Sequence, residues 1–179
     1  MGKRIWIASA GSFVLMFVVV FIFCSPVFSM VSKVTIESVN LQRVAGEDFV
    51  TVYFKVLSEA QGEKVYLQAS TDYENDEYFT HPLEFSCTQK EQIFTVTLRR
   101  SDFLLIDKTK NIEKELPQFV TERELVVYVY EKKLSEEDQN LTEDAKREIQ
   151  EKGYALRGIL AKATVSIKFE SVQKEEAGN

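Results

Sequence analysis

The chain has 179 residues, of which 45% are hydrophobic and 28% charged, and its 22 basic and 28 acidic residues give a formal net charge of −6. That length and apolar content suit one domain with one core. The acidic balance, with no block of basic residues, argues against a nucleic-acid partner, and two cysteines, Cys24 and Cys87, exclude a disulfide-rich scaffold.

The first segment is Met1-Gly2-Lys3-Arg4, an apolar run from Ile5 to Cys24, and then Ser25-Pro26-Val27-Phe28-Ser29-Met30. A basic cap on an apolar stretch directs a chain to a membrane. As a helix, residues 5–24 at about 1.5 Å each just cross a hydrocarbon core of about 30 Å. The strongest apolar stretch, Phe13 to Phe23, is of signal-peptide size. Pro26 stops the helix, and Val27 and Ser29 stand at −3 and −1 of a cut before Met30. Three fates stay open: a cleaved signal peptide, an uncleaved anchor through residues 5–24 with Lys3 and Arg4 cytoplasmic, or lipidation of Cys24, against which the bulky Phe23 argues. Each exports the remainder to the outer side of a membrane (periplasm or cell surface) or into the medium. Without residues 1–29 the chain keeps 20 basic and 28 acidic residues, a charge of −8.

Beyond the leader, period-two alternation recurs at short intervals, as half-buried antiparallel strands require. Val34 to Leu41 reads as the first strand, with a bulge near Glu37-Ser38 where the apolar phase shifts from Val34 and Ile36 to Val39 and Leu41. Val50, Val52, Phe54 and Val56 share one face of the second strand. Val65 to Ala69 follows across Ser58 to Glu63, with Gly62 available for a positive φ, and predicts a hairpin with the second strand. Leu83 to Thr88, Ile93 to Arg99 and Leu125 to Tyr130 are further strands. Cys87 falls in step with Leu83 and Phe85 and reads as a small core residue. The last strand alternates Ile159, Ala161, Ala163, Val165, Ile167 and Phe169 toward the core, with Leu160, Lys162 and Lys168 on the other face.

Two stretches depart from this pattern. Residues 99–124 read as a long crossing connection with a short strand or turn at Phe103 to Ile106. Between Ser135 and Gly153, Thr142 can cap a helix, Glu143 and Asp144 suit its first turn and Gly153 its C-terminus. Glu143/Arg147 and Glu148/Lys152 are spaced for i, i+4 pairs, and Leu141, Ala145 and Ile149 form a narrow apolar stripe.

Chemistry-bearing residues are sparse. His81 and Cys87 are six residues apart on extended chain, about 20 Å, beyond nucleophile–base reach. Asp72-Tyr73-Glu74-Asn75-Asp76-Glu77 starts like a calcium loop, but Glu77 stands where a glycine is needed and Leu83 where a bidentate glutamate is needed. No metal site or cofactor is assigned. Asp72, Tyr73, Glu74, Asp76, Tyr78 and Phe79 form the candidate ligand- or partner-binding group, acids and aromatics together on one loop. Cys24 is a candidate lipidation site, and Asn140 in Asn140-Leu141-Thr142 a candidate glycosylation site.

The expected fold is all-β, an antiparallel β-sandwich of immunoglobulin-like character with about seven to eight strands and one short helix before the last strand, preceded by an N-terminal apolar helix. The expected division is residues 1–29 as signal or anchor, 30–172 as the sandwich and 173–179 as a disordered tail. The expected function is a non-enzymatic exported or membrane-tethered module that binds another envelope or extracellular protein. A lipocalin-like small-ligand carrier, a calcium- or carbohydrate-binding module and a carboxylate-dependent hydrolase are the alternatives. The mass of the native protein separates the fates of the leader. Cleavage gives a chain starting at Met30, an anchor gives the full-length mass, and lipid on Cys24 or glycan on Asn140 adds a defined increment.

Overall fold

Strict alternation pushes one side of each strand out of water, and the chain satisfies this by stacking two antiparallel sheets. The computed structural model describes residues 31–45, 47–118 and 122–169. The leader with Cys24 and the tail 173–179 lie outside these residues. The strands are β1 (Val31–Val44), β2 (Glu47–Ser58), β3 (Lys64–Tyr73), β4 (Asp76–Thr80), β5 (Leu83–Ser86), β6 (Glu91–Arg99), β7 (Phe103–Asp107), β8 (Ile112–Glu115), β9 (Arg123–Leu134) and β10 (Ala155–Ile167). A 3-10 turn, Arg100–Asp102, precedes β7, and one helix, α1 (Glu143–Lys152), precedes β10. The smaller sheet has the order β1-β2-β6; the larger runs β10-β9-β3-β4-β7-β8, with β5 also paired to β3.

β4 and β5 run along the same strand in succession. β4 pairs with Ser70–Tyr73 and β5 with Lys64–Leu67, and His81-Pro82 interrupts them, since proline carries no N–H for a ladder. The core lies between the sheets, where Val50, Val52, Phe54 and Val56 of β2 meet Val65, Leu67 and Ala69 of β3 and Leu125, Val127 and Val129 of β9. Phe54 is fully buried and its ring lies 5.2 Å from both Phe85 and Phe94. Both sheets are open, and these side chains occupy the interior where a lipocalin-like barrel would hold its ligand.

The expected hairpin between the second and third strands does not form. β2 pairs with β1 and β6, whereas β3 pairs with β4, β5 and β9, so Ser58 to Glu63 carries the chain from one sheet to the other. Gly62, at φ +86°, donates its N–H to the Cys87 carbonyl at 2.8 Å, and the Cys87 N–H donates to Glu63 at 2.8 Å. Crossing lets the two apolar faces meet, which pairing in one plane would prevent. Cys87 is fully buried just beyond β5, and burial raises its thiol pKa. Leu83, expected on the same buried face, is 36% exposed.

Glu37 is the extra residue of a bulge in β1, between Ile36 opposite Phe54 and Ser38 opposite Tyr53, where the shift in apolar phase predicts it. β10 keeps its expected phase from Ala161 to Phe169 and departs from it only at Ile159. Its register steps from Ile159 opposite Tyr130 to Ala161 opposite Val129, with Gly158 at φ +70° just before. The bulge turns Ile159 outward to 61% exposure and packs Leu160 against the core. The connection after Arg99 contains a two-stranded extension, β7 and β8, that widens the larger sheet.

α1 forms between the expected caps: the Thr142 hydroxyl accepts from the Ala145 N–H at 3.2 Å, and Gly153 closes the C-terminus at φ +89°. Ala145 and Ile149 pack on Ala155 with Leu134 and Leu141. Its surface ion pairs are Glu143–Lys146 and Asp144–Arg147 at i, i+3 in place of Glu143/Arg147, and Glu148 pairs with Arg157 of β10 in place of Lys152. No helix among the described residues is long and apolar enough to cross a membrane. Replacing Phe54 with Ala removes the ring on which Phe85 and Phe94 rest and is expected to cost about 3–5 kcal/mol. Urea unfolding measures the loss.

Candidate functional site

The outward face of the larger sheet is built in rows set by the strand register. One row joins Ile159, Tyr130, Tyr66 and Glu84, and the next joins Lys162, Tyr128 and Gln68. Thr164, Val126, Ser70, Phe79 and Leu104 form the third. Beyond it Glu124 stands opposite Ser166, and Asp72 opposite Glu77. The face therefore runs from a tyrosine end, with Glu84 at its margin, to Asp72, Glu77 and Glu124 at the other.

α1 and the segment after it stand over this face and enclose an open cleft of about 500 Å³. Gln68 and Tyr130 line it from the sheet, Glu148 and Lys152 from α1, Tyr154, Leu156 and Arg157 from the chain entering β10, and Glu77, Gly158 and Ile159 from the margin. Gln68 Nε2 donates to the Thr80 carbonyl at 2.9 Å and to the Tyr154 hydroxyl at 2.7 Å. Arg157 Nη1 donates to Glu148 Oε2 at 2.8 Å, tying strand to helix. The Lys108 N–H donates to the Glu151 carbonyl at 2.8 Å, a second tie. Lys152 Nζ stands 4.2 Å over the Phe79 ring.

The titration of the cleft follows from this enclosure. Desolvation first, then the neighbouring Tyr128, Glu77 and Glu148, pushes the Tyr130 phenol up to about 12. Desolvation also drives Tyr154 well above the usual phenol range, with the Gln68 hydrogen bond opposing it. Both phenols stay neutral at any physiological pH, as hydrogen-bonding groups with apolar ring faces. Glu77 and Glu148 are the two carboxylates of the cleft, and Arg157 holds Glu148 as an ion pair.

The residues singled out on Asp72 to Phe79 are distributed differently from the loop expected of them. β3 and β4 are joined by a tight turn at Glu74-Asn75, with φ +51° and +71°, and Tyr73 pairs with Asp76. Asp72 and Glu77 point outward, Glu74 is exposed at the tip, and Asp76 is exposed beside it. Tyr73 is half-buried, its ring 6.4 Å from Tyr78 and beneath the Arg123 guanidinium at 5.7 Å. Tyr78 and Phe79 are 5% and 3% exposed, so they serve packing rather than a partner: Tyr78 joins the main core and Phe79 packs with Ile106 and Tyr154. A tight hairpin splays its carboxylates along a ribbon, and among the described residues no three His, Cys, Asp or Glu side chains are grouped to hold a metal ion. His81 is exposed while Cys87 is buried. Asn140 is exposed at φ +62° in the turn before α1.

The sequence pattern does not mark Tyr66, Tyr128, Tyr130, Tyr154, Glu148 or Arg157 as site residues. The available signal was the outward phase of β3 and β9, where tyrosines replace the usual small polar residues. Only the register sets them side by side.

No protein-family model matches the chain, and no curated protein matches it. Among solved structures it is similar to a GH3 β-glucosidase from Bifidobacterium adolescentis, at 14% identity and a TM-score of 0.38 over 82% of this chain and 19% of that one. It is also similar to a β-glucosidase from Streptomyces venezuelae, solved in complex with D-glucose, at 14% identity and a TM-score of 0.35 over 75% of this chain and 15% of that one. The chain thus spans less than a fifth of either enzyme.

Stability at high pH reads the burial of the phenols. An unfolded tyrosine ionises near pH 10 and Tyr130 near 12, so its contribution is fully present below pH 10 and is lost as pH rises toward 12. Urea midpoints measured from pH 9 to 11.5 are expected to fall across this window, and to fall less in Tyr130→Phe.

Proposed function

We propose that this protein is a non-enzymatic interaction module, exported or membrane-tethered, that binds another envelope or extracellular protein through the tyrosine-lined face of its larger sheet. The observation that carries this reading is the cleft itself. It combines Tyr130 and Tyr154, the 61%-exposed Ile159 and a fixed Glu148–Arg157 pair in one concave surface. Tyrosine offers large contact area with few rotors to freeze and a polar end for a hydrogen bond, which is why it concentrates at protein interfaces. The phenols with raised pKa values favour recognition over acid–base work, since neither changes protonation near neutral pH.

The finer fold reading is part of the same proposal. Pairing of β2 with β6 in one sheet and of β3 with β9 in the other, with β1 and β10 outside them, supports reading the sandwich as immunoglobulin-like. In that reading α1 occupies the turn between the last two strands, at the end of the sandwich where such domains often carry binding loops.

A photoreactive phenylalanine in place of Ile159 tests the reading in intact cells. The expected result is one discrete protein adduct, reduced about tenfold by Tyr130→Ala and missing when the probe replaces Thr35 on the outer side of the smaller sheet. Equal adducts at both positions would overturn the proposal. So would substrate turnover in a broad hydrolase screen that Glu77→Gln abolishes.

A further inference from the structure

The open edges of the two sheets are not alike. β1 is broken by two register shifts and lies beside β10. β10 carries the Gly158 bulge and the charges Arg157 and Lys162. β8 and β5 are four residues each, and both carry charges. These are the devices by which natural sheets prevent edge-to-edge pairing. β6 is neither short nor bulged, and its two charges, Glu91 and Arg99, stand only at its ends. Its nine residues follow β2 without a register shift from Glu91 to Arg99, and the seven between those two, Gln92-Ile93-Phe94-Thr95-Val96-Thr97-Leu98, hold no charge, proline or glycine.

The polarity of this edge is fixed by its ladder. The Ser58 N–H donates to the Lys90 carbonyl at 3.0 Å, so alternation directs the peptide groups of Gln92, Phe94, Val96 and Leu98 toward β2 and those of Ile93, Thr95 and Thr97 to the open side. Arg99 belongs to the open set, and its N–H is taken by Asp102 Oδ2 at 2.7 Å. No strand among the described residues pairs with this side. Ile93 is 60% exposed and Phe94 is half-buried.

We propose that β6 is a self-association edge, pairing antiparallel with β6 of a second copy of this chain about a twofold axis through Thr95. Charge selects the partner and the register. With Thr95 opposite Thr95, Glu91 of each copy stands opposite Arg99 of the other, Ile93 stands opposite Thr97, and Phe94 lies beside Val96 on the core side. Glu91 takes Lys55 at Oε1, so Oε2 is the oxygen that would accept from the incoming guanidinium. A displacement of two residues either way loses both ion pairs. The isologous joint closes on two copies and does not propagate, and it makes one six-stranded sheet of two smaller ones. It uses the sheet opposite the tyrosine cleft, so it stands or falls independently of the function proposed above.

The test uses the full-length protein with Cys24→Ser, in mild detergent. Opposed residues in a hydrogen-bonded antiparallel pair have Cα atoms about 5.5 Å apart, within disulfide range. Thr95→Cys is therefore expected to give a disulfide-linked dimer of twice the chain mass under mild oxidation. Thr97→Cys alone is expected to give none, and to cross-link only when mixed with Ile93→Cys. Thr95→Pro removes an outward N–H, keeps the hydrogen bonds to β2 and is a substitution that edge strands tolerate, so it is expected to shift the thermal midpoint of the dilute monomer little while raising the dimer dissociation constant at least tenfold. Arg99→Glu is expected to raise it as well. A monomer in sedimentation that gives no Thr95→Cys dimer would overturn the proposal, and so would equal self-cross-linking at Thr97→Cys. An adduct of another mass in native membranes would assign the edge to a strand from a different protein instead.

Discussion

The contact of β2 with β3 and β9 across the sandwich is the interaction on which the rest of the molecule depends. Each of these strands is central in its sheet and each gives the core a row of branched or aromatic side chains. Burying them is the main gain available to a chain of this size, and neither sheet can bury its inner face alone. The turn at Ser58 to Glu63 is what makes the contact obligatory. It delivers β3 to the opposite layer immediately after β2, so the largest apolar segments of the first half face each other.

That contact also orients the outer surface. Because side chains alternate along a strand, fixing Val65, Leu67 and Ala69 inward sends Tyr66 and Gln68 outward, and fixing Leu125, Val127 and Val129 inward sends Tyr128 and Tyr130 outward. The tyrosine face is thus a by-product of core packing, and a one-residue slip would bury it. β7 and β8 then widen the sheet on the far side, and Phe79 finds cover under Tyr154 and Lys152. The carboxylates gather at the other end, where Asp72 and Glu77 stand opposite each other at the cost of mutual repulsion.

What could be read in the sequence was whatever depends on local pattern. The strands around Val50 to Val56 and Leu125 to Tyr130, the bulge at Glu37 and both caps of the helix follow from period and residue type over a few positions. What could not be read depends on pairing between distant segments. A hairpin and a sheet-to-sheet crossing use the same turn composition at Ser58 to Glu63, and only the competing partners of β2 and β3 decide between them. The bulge beyond Gly158 inverts the facing of Ile159, although the alternation of β10 runs smoothly through it in sequence. The candidate site was hidden for the same reason. Its residues come from β3, β4, β9, α1 and β10, and alternation splits the group at Asp72 to Phe79 between the two faces of one ribbon, Asp72, Glu77 and Phe79 on one and Tyr73, Asp76 and Tyr78 on the other.

The two ties on α1, Glu148 to Arg157 and the Glu151 carbonyl to Lys108, come from opposite sides of the helix's surroundings, one from β10 and one from the turn after β7. A helix held at two such points near its C-terminal end has little freedom to rock, so the wall it gives to the cleft is set before anything arrives. Ordering entropy is then a small part of any association there. Under the function proposed above, the shape of the recess would act as a fixed gauge, admitting what fits it and leaving little room for adjustment to what does not.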